Sequence, residues 1–158
     1  MPIETIEEAE EKINGWITGR GIFTKKSESD HTNFQFEGRT DNGIGIVIAQ
    51  PKRLFRSVVV ASKLVLTQWQ LDAINKMQPE EKADFIWDLK RDLIFAPANF
   101  TLSPAGDDLK TIDFVKEISF DELTDGKLIE AVDNVCRPLI WTIWVLRKRF
   151  GSTEEGSH

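Results

Sequence analysis

Apolar positions recur at helical spacing over residues 3–17. Ile3, Ile6, Ala9, Ile13 and Trp16 or Ile17 share one side, while Glu4, Glu7, Glu8, Glu10 and Glu11 occupy the other. The early carboxylates suit the positive end of a helix dipole. Gly15, Gly19 and Gly21 are expected to end this element. A period of two follows. Segments 22–26 and 32–37 flank the polar turn SESDH, and Phe34 and Phe36 alternate with Gln35 and Glu37, as in a half-buried strand. Thr40-Asp41-Asn42-Gly43 predicts a hairpin of the primed type, because Asn-Gly tolerates positive φ. Over 44–49, Ile44, Ile46 and Ile48 face one way and Gly45, Val47 and Ala49 the other. Both sides are apolar or small, which predicts a central strand stopped by Pro51. A fourth strand is expected over 56–61, around Val58-Val59-Val60.

The helical period then returns. Thr67 and Gln70 have capping-box spacing, ahead of a stripe of Trp69, Ala73, Ile74 and Met77 expected to be buried. Pro79 suits the first turn of a second helix over 79–94, with Glu80 and Glu81 at its start and Lys90 and Arg91 near its end. Its predicted core face is Phe85, Ile86, Leu89, Leu93 and Ile94. Two more strands are expected at 99–103 and 111–120. In the second, Ile112, Phe114, Ile118 and Phe120 share a face that Lys116 interrupts.

A long helix is expected over 121–150. Leu128, Val132, Val135, Leu139, Ile143 and Leu146 form one stripe. Ile129, Cys136, Ile140 and Trp144 widen it and Trp141 lies further round, which is more apolar surface than one core-facing stripe needs. Pro138 frees the carbonyl of Asn134 and should kink the helix there. The predicted architecture is α+β: an antiparallel sheet of five to six strands with an N-terminal helix, a middle helical layer and a long C-terminal helix. Residues 1–150 are read as a single domain, and 151–158 (GSTEEGSH) as a disordered tail or an appended remnant.

Composition narrows the function. The 158 residues, 41% apolar and 29% charged, are those of a soluble globular domain able to bury its own core. The net charge of −6 disfavours nucleic acid, and no apolar run is long enough to span a membrane. An acidic N-terminal segment is unlike a signal or transit peptide. A lone cysteine leaves no intrachain disulfide, and the expected compartment is the cytoplasm.

The exit of the 44–49 strand (Val47 to Pro51), the Leu66 to Gln70 helix start and the junction from Ile118 to Val132 resemble an uncharacterised group of small prokaryotic proteins with the type III secretion chaperone-like fold. The resemblance covers most of 3–150. It implies a helix, an antiparallel sheet interrupted by a helical element, and a closing helix. It also implies, by analogy of fold, dimers that bind extended segments of client proteins.

No constellation points to catalysis. His31 sits beside Asp30 in a polar turn, and His158 lies in the tail. Cys136 falls among apolar helix positions and lacks the cation or helix start that would activate it. Gly43-Ile44-Gly45 lacks the third glycine and following helix of a phosphate loop. Asp107-Asp108 reads as turn chemistry and Asp121-Glu122 as helix-start charge, not metal ligands. Lys52-Arg53-Leu54-Phe55-Arg56 is short, and Arg147-Lys148-Arg149 complements a helix C-terminus. No cofactor, metal or catalytic residue is therefore expected. The candidate interface is Arg137, Ile140, Trp141 and Trp144, for a second copy or a protein client; the alternative is a helix laid in a deep groove, with Trp141 and Trp144 covered by the sheet and the N-terminal helix. The expected function is a non-enzymatic protein-binding or chaperone-like domain. The alternative is a small-molecule binder or weak hydrolase with an apolar pocket between sheet and helices.

Overall fold

The computed structural model describes residues 2–104, 106 and 108–151. Asp107, His158 and the rest of the tail after Gly151 lie outside the described residues. Helix α1 spans Ile6–Gly19. It starts later than the apolar period, because Thr5 is extended (φ −124°) and its hydroxyl accepts the Glu8 N–H at 3.1 Å. Ile3 is nonetheless buried ahead of the cap. Gly15 lies within the helix and does not end it; Gly21, at φ +72°, turns the chain away just past Arg20.

Six strands follow the expected order: β1 Phe23–Ser27, β2 Thr32–Arg39, β3 Gly45–Pro51, β4 Ser57–Val65, β5 Asn99–Ser103 and β6 Thr111–Ser119. They form one antiparallel sheet in the order β1-β2-β3-β4-β6-β5. β3 and β4 are thus the two central strands, as the double-sided apolar pattern of 44–49 implied. The β2–β3 turn differs from the primed hairpin expected. Among the described residues only glycines have positive φ, so Gly43 (+80°) turns alone, and its N–H closes on the Thr40 carbonyl at 2.9 Å. This is a turn followed by a glycine bulge, with the Thr40 hydroxyl accepting the Ile44 N–H at 3.2 Å.

Helix α2 spans Gln68–Asn75, and its reciprocal Thr67–Gln70 capping box is formed. Its only fully buried residue is Ile74. Trp69, expected in the core, is 47% exposed, because its indole N–H reaches outward to the Phe150 carbonyl at 2.9 Å. Helix α3 spans Pro79–Leu93 and buries Phe85, Ile86, Leu89 and Leu93. Ile94, also expected in that core, is the residue just past the helix and is 65% exposed.

Helix α4 spans Asp125–Phe150. It begins after Asp121 and Glu122, because Thr124 is the residue placed to cap it, accepting the Lys127 N–H at 3.1 Å. The helix runs without a break through Pro138. There the buried Thr142 hydroxyl donates to the Pro138 carbonyl at 2.8 Å.

Helices α1 and α4 lie on the same face of the sheet, α1 against β1 and β2, α4 against β4 and β6. The core between them and the sheet is filled by Phe34, Phe36, Val58, Val60, Phe114, Ile118, Leu128, Val135 and Leu139. Arg20 at the end of α1 makes a two-point contact with Asp125 at the start of α4 (2.9 and 3.1 Å), and that hydrogen-bonded pairing raises the Arg20 pKa. The opposite phase of the strands carries Glu37, Val47, Val59, Ala61, Lys63, Asp113 and Val115, all half-buried or exposed. Two cross-strand ion pairs, Lys25–Glu37 and Lys63–Asp113, lie on it.

Candidate functional site

The buried set of α4 (Leu128, Ala131, Val132, Val135, Cys136, Pro138, Leu139, Thr142 and Leu146) occupies less than half of the helix circumference. Arg137, Ile140, Trp141 and Trp144 follow at i, i+3, i+4 and i+7 and share the outer side. Trp141 is 46% and Trp144 59% exposed; Ile140 is half-buried and Arg137 exposed. The structure thus brings the four sequence candidates onto one solvent-facing stripe in the second half of the helix.

Two hollows flank the stripe and share Arg137 and Trp141. The first, about 580 Å³, lies between α4 and the end of α3, with Leu93, Phe95, Ala96, Pro97 and Pro138 as its apolar walls and Arg91 and Asp92 at its edge. The second, about 610 Å³, lies between α4 and the β2–β3 turn, and adds Asn42, Ile44, Ile140, Ile143, Trp144 and Arg147. Phe95 is 86% exposed and Ile94 65%, so the end of α3 extends the apolar surface of α4. Trp87, on the outer side of α3, is 68% exposed.

Sequence reasoning missed this α3 contribution. The available signal was Ile94-Phe95, two large apolar residues placed after the core stripe of α3 has closed at Leu93 and before Pro97.

The other candidates are dispersed. His31 is exposed in the β1–β2 turn, where its backbone N–H donates to the Ser29 hydroxyl at 3.2 Å. Cys136 is buried, and burial, followed by the nearby charge of Asp133, pushes its thiol up to about 11, so it stays protonated at neutral pH. Asp108 is exposed, and Asp121 pairs with Arg56 at 3.3 Å. Within the 52–56 basic segment, Arg56 is further held by the Ile3 carbonyl and lies 5.7 Å over the Phe120 ring, while Phe55 is 81% exposed. In the 147–149 cluster, Arg149 pairs with Glu81 at 3.9 Å and lies over Phe85. Among the described residues, no group of three or more His, Cys, Asp or Glu could hold a metal ion, and no helix is long and apolar enough to cross a membrane. The space between sheet and helices, where the alternative reading would place a ligand, is occupied by Phe36, Phe114 and Phe120, each 1% exposed or less.

Residues 9–146 match the family model described as "Uncharacterized conserved protein (DUF2299)". The chain belongs to the DUF2299 family. The DUF2299 chain has the fold of an uncharacterised protein from Methanothermobacter thermautotrophicus: TM-score 0.86 at 23% identity, covering 90% of this chain and 99% of that one. It is also similar in fold to a chain of the HopA1-SchA chaperone–effector complex, with TM-score 0.50 at 10% identity, covering 90% of this chain and 92% of that one. No curated protein matches the DUF2299 chain. The α+β architecture expected from sequence thus has structural counterparts.

Proposed function

We propose that this protein is a non-enzymatic, chaperone-like binding domain that holds another protein against the outer face of α4. The observation that carries the reading is the exposure of Trp141 and Trp144 on a helix that already covers the sheet with its other side. Large aromatics left in water beside apolar hollows are the residues that dominate protein interfaces, because a partner buries their area at little rotamer cost. The fold shared with a chain of a chaperone–effector complex agrees with a protein partner. The protonated Cys136 and the turn position of His31 agree with a domain that does no chemistry.

The test is selection of random linear peptides displayed on phage against the immobilised full chain. Enriched peptides are expected to bind the wild type and to lose about tenfold or more in affinity to Trp141→Ala and Trp144→Ala, with both variants retaining the wild-type melting temperature. Enrichment no greater than on a blank surface, or binding that survives both substitutions, rejects the reading.

A further inference from the structure

The hollow between α4 and the β2–β3 turn is lined by two arginines and no carboxylate, in an acidic chain. The net charge is −6, yet Arg91, Arg137 and Arg147 line the hollows against a single carboxylate, Asp92. Arg91 is partly neutralised by Asp88 at 3.4 Å. Among the described residues, Arg137 and Arg147 have neither an ion pair nor a side-chain hydrogen bond, unlike Arg20, Arg56 and Arg149. Asp133, one turn before Arg137, makes no ion pair with it among the described residues, although four-residue spacing permits one. Any partner that covers Trp141 and Trp144 also strips water from Arg137, which lines both hollows. A buried unpaired cation is strongly disfavoured, and a partner that brings its own carboxylates removes that cost.

We infer that the occupant of this surface is an acidic peptide segment, in which Asp or Glu residues flank aliphatic or aromatic anchors. The anchors enter the hollows on either side of Trp141, and the carboxylates meet Arg137 and Arg147. This inference rests on the reading of the α4 face as a protein-binding surface and names the chemistry of the partner.

Charge also separates this occupant from two rivals. A second copy of the chain, joined by a two-fold axis through the stripe, would set the patch against itself and bring arginines toward arginines. A single-stranded nucleic acid would find tryptophans to stack on. However, its phosphates would meet Asp88 and Asp92 on the α3 side and only two unpaired arginines, a narrower basic surface than nucleic acid requires.

The peptides enriched by phage selection decide the matter. They are expected to carry an excess of Asp and Glu next to apolar residues. Their Kd should rise several-fold between about 50 and about 300 mM salt. Arg137→Glu should weaken them about tenfold or more, and a peptide with its acids changed to Lys should bind Arg137→Glu better than wild type. Neutral or basic peptides that still depend on Trp141, with a Kd indifferent to salt and to Arg137→Glu, overturn the acidic partner while leaving the protein-binding reading intact. Loss of dependence on both Trp141 and Arg137 removes both. Two further results overturn the inference: a dimer in light scattering that Trp141→Ala dissolves, or tight binding of an oligothymidylate that Arg137→Glu abolishes.

Discussion

Helices α1 and α4 perform the same structural task and present opposite backs to solvent. Each lays one apolar stripe on the same face of the sheet: Ala9, Ile13 and Ile17 from α1, and Leu128, Val132, Val135, Leu139 and Leu146 from α4. The outer side of α1 shows Glu7, Glu11, Lys12, Asn14 and Thr18, residues that interact well with water. The outer side of α4 shows Trp141 and Trp144 beside unpaired arginines. A helix can therefore cover this sheet without any apolar residue on its back. The tryptophans of α4 are not needed to cover the sheet, and this surplus apolar surface is what the proposed partner would occupy.

If this contrast is right, inner and outer substitutions should separate sharply. Ile13→Ala and Leu139→Ala, on the inner faces of the two helices, should each cost about 2–5 kcal/mol in urea unfolding, through lost burial and the cavity left behind. Equal costs on the two helices would show that both act as lids of one core. Gly38→Ala should come next, at about 1–3 kcal/mol. A Cβ there would lie 2.8 Å from the Ile22 carbonyl oxygen, and Ile22 is the link from α1 into β1.

Cys136 belongs to the inner set, and its titration reports that burial. Its folded pKa, about 11, lies above the ordinary value of 9.0, so the neutral thiol is the form that folding favours. The contribution is complete below pH 9.0 and is lost as pH rises through about 11. Stability against urea should therefore fall over that range more steeply in wild type than in Cys136→Ala; identical slopes would place the thiol in water. The smallest effect is expected outside. Trp141→Ala and Trp144→Ala should change stability by no more than about 0.5 kcal/mol, and a cost like that of Leu139→Ala would move these residues into the core.

The elements of the fold were legible because each carries a clean period. Phe34 and Phe36 alternate in β2, the Thr67–Gln70 box starts α2, and Leu128 to Leu146 repeats at helical spacing. Boundaries were less legible where two residues competed for one role. Asp121 and Glu122 look like a helix start, but the cap is Thr124 three residues on. That Trp141 lies round from the core stripe could be read from its angle on the helix, but whether Trp141 and Trp144 end in the core or in water could not. The exposure of Trp69 and Ile94 could not be read either, since it depends on the Phe150 carbonyl and on where α3 ends. Nor was the charge state of the patch legible. Arg149 pairs with Glu81, 68 positions earlier, while Arg137 stays unpaired, and such pairings exist only once the chain has folded.

None of the five tryptophans is fully buried: Trp16 is half-buried, and Trp69, Trp87, Trp141 and Trp144 are exposed. An indole in water emits at longer wavelength than one in an apolar setting. Unfolding should therefore shift the emission modestly toward the red, as Trp16 and the covered parts of Trp69 and Trp141 enter water, whereas occupation of the α4 face should shift it toward the blue. The molecule carries an optical gauge in which covering its surface and losing its core move the colour in opposite directions.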